Sequence, residues 1–408
     1  MKRLILTVSL TLSFWAQAHP VHMDLEMTSE EYRELLQKIP STQKSLGADQ
    51  PSIAQALKIG DRLSKWIALV NANRTPQNAI RLTSPETRRG IPIDKPNIYS
   101  PKTIETETRA ILADLPGHMK GILLGGGNLP LSLGMDDATF IKHARRIDRN
   151  YQSAARYKTV DQYRAEYIRE ANKDVRGIYY LQTNKITADQ LRDTDMIPAQ
   201  QLGPIKDALV QMCVNGTGKL SKCKKEIHKA ASKNKLDETY NRYIKAGQTT
   251  WNNFFKIPAY ARRHDLKWNG QAATVPFNTP KVEKFIPYLK SNIEEEFQWK
   301  GWGLKIIFGD YPNGPLLIFR SGVVPHVNGL GGNEIVMDSN QPIEEYESQW
   351  TIRHEFGHVI GLPDCYHEFY DVQKDVYVNY QLDTTDLMCS RAGNMNERIY
   401  LELKNAYQ

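Results

Sequence analysis

The chain of 408 residues lacks long apolar runs, low-complexity segments and a dense set of cysteines. After residue 18, no stretch approaches the roughly 20 consecutive apolar residues that span a bilayer, so we expect no transmembrane anchor. Hydrophobic residues make up 40% of the chain, which suffices for packed cores and argues against a largely disordered protein. The length indicates two domains or three.

The sequence also has little excess of charge of either sign. It carries 53 Lys and Arg against 46 Asp and Glu, and this balance does not predict nucleic-acid binding. The basic stretch at residues 219–245 holds nine Lys or Arg and three acids, which is typical of a solvated helical face. The glycine run at residues 125–127 lacks the Gly-Lys-Ser/Thr ending of a phosphate-binding loop, so we predict a turn there.

The first 18 residues have the three parts of a secretory signal peptide. Lys2 and Arg3 supply positive charge, residues 4–15 form an apolar run, and residues 16–18 match an A-x-A cleavage site. We therefore expect export to a secreted or periplasmic location, with a mature chain that begins at His19. The short leader is of the bacterial type, but no cysteine follows the cleavage site to take a lipid anchor.

Helical periodicity dominates residues 19–265. In residues 52–73 and again in residues 137–157, apolar side chains recur every three or four positions on one stripe. Ser100 followed by Pro101 has the residue types of a helix start. We predict a mostly helical N-terminal region, which is either a propeptide that is removed or an accessory domain that is retained.

The pattern changes near residue 266, where short apolar stretches begin to alternate with helical ones. Strands are predicted at residues 272–277, 304–308, 316–319 and 331–339. Helices are predicted at residues 281–299, 342–361 and 394–406. We therefore predict an α+β chain with a second domain at residues 266–408.

The stretch TIRHEFGHVIGLPDC carries the side chains that can do chemistry. His354 and His358 lie four positions apart, so on a helix both imidazoles share one face and can reach one metal ion. Glu355 lies about 100° round the helix, close enough to act on a water at that metal. Gly361 predicts a left-handed helix end, after which a turning chain can return Asp364 as a third ligand.

This ligand set has the composition of a catalytic zinc site. Zinc accepts imidazole nitrogen and carboxylate oxygen, and catalytic sites combine three protein ligands with one open position. His354, His358 and Asp364 are the predicted ligands of one zinc ion, and Glu355 is the predicted general base. The opposite face of the helix is predicted to be core: Ile352, Phe356, Val359 and Ile360.

The extended string H-E-x-x-H-x-x-G-x-x-D resembles the motif of metzincin zinc metallopeptidases, in the form with a final Asp that the snapalysin group carries. The resemblance covers residues 266–408. It implies a small twisted sheet, a backing helix, the active-site helix, a Met-turn that Met388 matches, and a C-terminal helix. It also implies a zinc-dependent endopeptidase that acts on a protein or peptide substrate.

Alternatives to Asp364 as the third ligand stay open. His367 is one, because imidazole is the commoner zinc ligand, although it lies three residues beyond the motif position. A gluzincin arrangement would take a downstream acid: Glu368, Asp383 or Asp386. The resemblance also leaves the residue that binds the oxyanion open among the tyrosines after the motif: Tyr366, Tyr370, Tyr377 and Tyr380.

Four cysteines allow three disulfide pairings. We favour Cys213 with Cys223, across a short loop that contains glycine. Cys365 follows the proposed third ligand and Cys389 follows the proposed Met-turn residue, so the resemblance implies that this second pair lies near the metal. Free buried thiols are the alternative.

Two functions of different classes follow from these features. The first is a secreted zinc metalloendopeptidase in which Glu355 activates a metal-bound water. The alternative is an exported helical binding protein that carries a catalytically degenerate metalloprotease domain. The two hypotheses differ in whether peptide hydrolysis depends on Glu355.

Overall fold

The computed structural model describes residues 51–83, 97–341 and 343–408, and the predicted signal peptide lies outside them. Within this part of the chain the fold is mixed α+β, as the sequence predicts. The first helices are α1 (Pro51–Asn71), α2 (Pro101–Asp114), α3 (Gly117–Leu124), α4 (Asp137–Gln162), α5 (Arg164–Glu170), α6 (Arg176–Thr183), α7 (Ala199–Thr217), α8 (Leu220–Ala231) and α9 (Leu236–Phe255). The Ser100 hydroxyl accepts the backbone N–H of Thr103, which confirms the predicted start of α2.

One strand lies before α2. The other strands and three further helices follow α9. The strands are β1 (Asn97–Tyr99), β2 (Lys267–Asn269), β3 (Ala272–Asn278), β4 (Gln298–Trp299), β5 (Trp302–Gly309), β6 (Leu316–Arg320), β7 (His326–Val327), β8 (Glu334–Asp338), β9 (Tyr366–Asp371) and β10 (Val376–Gln381). The helices are α10 (Phe285–Leu289), α11 (Tyr346–Val359), which carries the histidine motif, and α12 (Glu397–Tyr407).

The strands form three small sheets, with strand orders β1-β10-β9, β2-β3-β5-β4 and β6-β8-β7. The resemblance implied one small sheet, so the strands are divided more than expected. Two of the sheets approach where the N–H of Asn278 donates to the carbonyl of Pro315, at 2.8 Å. Pro315 has no N–H to return, so a continuous ladder cannot form at this point.

The largest hydrophobic core crosses the predicted domain boundary. It runs from Val175 to Leu403 and joins helices α6–α9 to β3, β5 and α11. Helices α1–α4 have a separate core, which includes Trp66 and Phe140. The domain boundary at residue 265 stays a prediction, but residues on both sides of it pack into one hydrophobic core.

The region before residue 265 also contributes a strand to a sheet of the later region. β1 pairs with β10 in antiparallel register, with Ile98 opposite Val378. The hydroxyl of Tyr377 donates to the carbonyl of Val160 in α4, at 3.0 Å. The hairpin of β9 and β10 is therefore held between the strand and the helices of the N-terminal region.

The helix predicted at residues 281–299 is wrong in length. It is reduced to α10 and a π-helical turn, Lys290–Glu294. Pro287 removes a backbone donor from α10, and the π turn shifts the helical register. Ile293 and Phe297 are still buried, whereas Val282 is 46% exposed.

The hairpin of β9 and β10 was not predicted from the sequence. Five consecutive residues of β10 are buried, so its apolar and polar side chains do not alternate. A strand that is covered on both faces loses the period of two by which strands are recognised in a sequence.

The cysteines are paired as predicted, Cys213 with Cys223 and Cys365 with Cys389. The first disulfide joins α7 to α8, and the second lies in the loops that follow α11. None of the helices in the described residues combines the length and the apolar character needed to cross a membrane.

Candidate metal centre and cleft

Helix α11 presents His354, Glu355 and His358 on one side and is anchored by the other. The four residues predicted to be core, Ile352, Phe356, Val359 and Ile360, are all fully buried. Arg353 is also buried and forms an ion pair with Glu296 at the end of the π-helical segment. Because the buried face cannot rotate, the directions of the two imidazoles are fixed.

Three ligand atoms meet at one point beside this helix. The Nε2 atoms of His354 and His358 each lie 3.1 Å from Oδ1 of Asp364. All three ligand atoms lie within 4.8 Å of one another. Tetrahedral bonds of about 2.0–2.1 Å place ligand atoms roughly 3.3 Å apart, so the cluster has the dimensions of a zinc site.

Backbone carbonyls orient both imidazoles from behind. Nδ1 of His354 lies 2.8 Å from the carbonyl oxygen of Leu387, and Nδ1 of His358 lies 2.8 Å from that of Leu362. A ring nitrogen that faces a carbonyl carries the proton, which leaves Nε2 as the basic atom. Both Nε2 atoms therefore face Asp364 and are the ring atoms placed to bind one cation.

The charges at this point favour a bound cation. Burial alone lowers the pKa of His358, but the carboxylate of Asp364 outweighs that effect and raises the pKa to about 9. Burial also acts to raise the pKa of Asp364, but the two imidazoles hold it well below its usual range. The carboxylate thus stays charged and draws positive charge to the place where the ligand atoms meet.

Gly361 makes the turn that brings Asp364 back to the helix. Its φ is +84°, and a Cβ there would meet the backbone carbonyl of Ala261 at 2.8 Å. Only glycine accepts both this dihedral and this close approach at little cost. The predicted left-handed end of the helix is confirmed, whereas the close approach of Ala261 could not be predicted from local sequence.

Met388 lies directly beneath the helix, against Gly357. A Cβ at Gly357 would overlap the sulfur of Met388, so glycine between the two histidines allows this contact. The N–H of Cys365 donates to the carbonyl of Met388 at 3.1 Å, next to the disulfide from Cys365 to Cys389. The ligand loop and the loop of Met388 are therefore joined both by a hydrogen bond and covalently.

The other candidates for the third ligand lie outside the cluster of ligand atoms. A ring nitrogen of His367 lies 2.7 Å from the carbonyl oxygen of Glu170, and the imidazole packs edge-on against Phe254. Asp386 is fully buried, where it accepts the N–H of Met388 at 2.8 Å and pairs with Arg398 at 2.7 Å. Asp386 also lies near Cys365 and Cys389, but disulfide sulfurs are not thiolate ligands.

The other two acids that were considered are also outside the cluster. Asp383 accepts hydrogen bonds from the backbone and hydroxyl of Thr385, at 2.9 and 2.7 Å. Glu368 lines the cleft but pairs with Arg156, at 3.4 Å. Neither belongs to the group of atoms that could share one metal ion with the histidines.

A cleft of about 870 Å³ opens onto two of the candidate ligands, His358 and Asp364, and onto Glu355. Glu355, His358 and Asp364 line one side, together with β7 and the loop after it. Other lining residues come from the N-terminal region and include Arg156 of α4 and Tyr167 of α5. No local pattern in the sequence marks either of these two residues, because only long-range packing brings them to the cleft.

Tyr366 is the one among the four candidate tyrosines that lines the cleft. Its ring lies nearly parallel to that of His354, with centroids 6.3 Å apart. Burial, with Asp364 nearby, raises the pKa of Tyr366, so its phenol is protonated at neutral pH. Tyr370 and Tyr377 instead pack into a core with α4.

Comparisons of this chain with protein-family models, with curated proteins and with solved structures found no match.

Proposed function

We propose that the chain is a secreted zinc-dependent endopeptidase of the metzincin type. One observation carries the proposal: two imidazole nitrogens and a carboxylate oxygen converge beside Glu355 at the wall of an open cleft. Structural zinc sites are closed by four protein ligands, which are commonly cysteines. Three ligands with nitrogen and oxygen donors at a cleft favour a catalytic site.

The residues that would hold zinc are His354, His358 and Asp364. The donor set fits this ion, because imidazole and carboxylate are its usual ligands at catalytic sites. When bound, zinc lowers the pKa of a coordinated water and polarises a carbonyl group.

The remaining steps belong to side chains of this chain. The Glu355 carboxylate accepts a proton from the attacking water and delivers it to the nitrogen of the leaving amine. The carbonyl groups of Leu387 and Leu362 hold the imidazoles in place throughout, since they bond the nitrogens that face away from the cluster. The phenol of Tyr366 is a hydrogen-bond donor available on the cleft side.

The metzincin assignment is supported by the order of the elements as well as by the motif. Short strands precede α11, the turn at Gly361 follows it, Met388 lies beneath it and α12 closes the chain. Export is supported by the leader pattern of the first 18 residues and by two disulfides, which persist in oxidising compartments.

The deciding experiment is Glu355→Gln, measured with a library of fluorogenic peptides and with zinc analysis of the purified protein. We expect the variant to retain about one zinc per chain and to lose at least 100-fold in kcat/KM, because general-base catalysis contributes about 10²–10⁴-fold. Glu347→Gln is the matched control. Glu347 lies in the first turn of the same helix and pairs with Arg391, away from the ligands.

Unchanged hydrolysis by Glu355→Gln would remove the proposed mechanism. If the wild-type protein binds zinc but cleaves no peptide in the library, the exported binding protein with a degenerate metalloprotease domain becomes the better explanation.

A further inference from the structure

Arg156 brings a positive charge from the N-terminal region into the cleft. It lies in the second half of α4 and lines the same cavity as Glu355 and Asp364. Its side chain is 27% exposed, so the guanidinium is partly sheltered but open to a ligand in the cleft. Among the described residues that line the cleft, Lys173 is the other Lys or Arg, and Glu170 pairs with it at 2.5 Å.

Two side chains lie against the guanidinium. Its Nε lies 3.4 Å from Oε1 of Glu368, and its centre lies 5.9 Å from the ring of Tyr366. The closest approach of Glu368 is to Nε, so the two terminal amino groups are farther from this carboxylate. Arginine has five N–H donors, and this ion pair engages one edge of the group.

The pair of Arg156 with Glu368 is poorly arranged for stability alone. The Glu368 side chain is only 9% exposed, yet its Oε1 has no hydrogen-bond partner among the described residues. Burying an ion pair costs more than its attraction returns unless the geometry is excellent and all remaining hydrogen bonds are made. The pair therefore fits a role in fixing Arg156 better than a role in holding the fold.

We propose that Arg156 binds a carboxylate of the peptide substrate, so that the cleft selects substrates with an acidic group beside the scissile bond. This proposal rests on the proposed peptidase function. A planar guanidinium held in place matches a carboxylate with two parallel hydrogen bonds, which gives both strength and direction. The N-terminal region then supplies the recognition wall, and the motif helix supplies the reacting wall.

A peptide can present a carboxylate on an acidic side chain or at its C-terminus. Three matched peptides distinguish these two sources. The first peptide has an Asp side chain and an amidated C-terminus, the second has Asn and a free C-terminus, and the third has Asn and an amidated C-terminus. A preference for the first indicates recognition of an acidic side chain. A preference for the second indicates recognition of the chain end.

The test compares wild type, Arg156→Gln and Arg146→Gln by kcat/KM for the three peptides. Arg146 is the matched control, because it lies on the same helix with a similar exposure of 28% but pairs with Glu107 outside the cleft. We expect Arg156→Gln to lose about 10- to 100-fold on the preferred carboxylate peptide, the size expected for hydrogen bonds between charged groups. Its kcat/KM for the third peptide changes by less than about twofold, and Arg146→Gln keeps the wild-type ratio.

A change in the ratio between peptides separates recognition from structural support, because a damaged fold lowers all three values together. Arg156→Lys is the second variant, and it decides if Arg156→Gln does not fold. It keeps the charge but cannot form two parallel bonds, so we expect an intermediate ratio. Equal cleavage of all three peptides by wild type overturns the subsite and leaves the peptidase proposal standing.

Calorimetric binding of the same peptides to Glu355→Gln gives a readout that does not need turnover. We expect the preferred carboxylate peptide to bind more tightly than the third peptide, and expect Arg156→Gln in the same background to remove the difference. If the wild type cleaves nothing but this difference is present, the peptidase proposal fails and the carboxylate site stands. If the peptides bind equally, the carboxylate site is overturned.

Discussion

The two walls of the cleft differ in how the chain builds them. The reacting wall comes from α11 and the turn after it, so His354, Glu355, His358 and Asp364 lie close together in the sequence. The rest of the lining includes residues of α4 and α5, which lie far before α11 in the sequence. The proposed chemistry is therefore encoded locally, whereas the proposed recognition of substrate depends on the packing of the N-terminal region.

Contacts between the two regions indicate whether the N-terminal region is removed or retained. A propeptide blocks a cleft and leaves a complete domain behind when it is cut away. Here β1 is a strand of the sheet that contains β9 and β10, and the largest core is shared across residue 265. We therefore expect the described part of this region to remain in the working protein.

The largest effect is expected from separating the two regions. Residues 266–408 produced alone should not form a stable folded monomer, because they lose β1 and expose the core that α6–α9 cover. Circular dichroism and size-exclusion chromatography check this, with residues 19–408 as the control. A folded and active fragment would show that the N-terminal region is a removable propeptide.

The next effect concerns the reacting wall alone. Asp364→Ala should weaken zinc binding by more than about 100-fold, because changes to groups that only support a ligand already cost about 10–100-fold. His367→Ala should retain zinc, since this imidazole faces the carbonyl of Glu170. Competition with a chelator measures both affinities. The opposite result, loss of zinc only in His367→Ala, would make His367 the third ligand.

A smaller effect is expected from removing either of the two disulfides. Loop lengths of 10 and 24 residues predict that replacing either cystine by two alanines lowers the free energy of unfolding by about 3 kcal/mol. Zinc affinity should fall only in the Cys365→Ala, Cys389→Ala variant, because this pair joins the loops of Asp364 and Met388. Equal zinc affinity in both variants would mean that the loops need no covalent link.

The smallest effect is expected for one methyl group under the helix. Gly357→Ala should lower the free energy of unfolding by about 1–3 kcal/mol, since the added Cβ meets the sulfur of Met388. Gly121→Ala is the control, because nothing lies within 4 Å of a Cβ there. That change in α3 should raise stability by about 0.5–1 kcal/mol. Chemical denaturation measures both, and equal shifts would refute the contact under α11.

Much of the reacting wall could be predicted because its rules are local. The i and i+4 spacing of His354 and His358 fixes a shared face, and Gly361 fixes a turn by its backbone freedom. The buried face of α11 followed from the same periodicity. The division of the strands into three sheets did not follow from this periodicity, since it depends on where the hydrogen-bonded pairing between strands ends.

The α+β class, the helix that carries the histidines and the candidate ligands could be read from the sequence, because short-range periodicity and spacing encode these features. The cysteine pairing was favoured from the position of the cysteines and from the resemblance, and the structure agrees with it. The tertiary structure was needed to show that Asp364 rather than His367 lies beside both imidazoles, and that Arg156 lines the same cleft as His358. The physical reason is that contacts between distant segments follow from how cores and sheets pack, and no local pattern records which side chains that packing brings together.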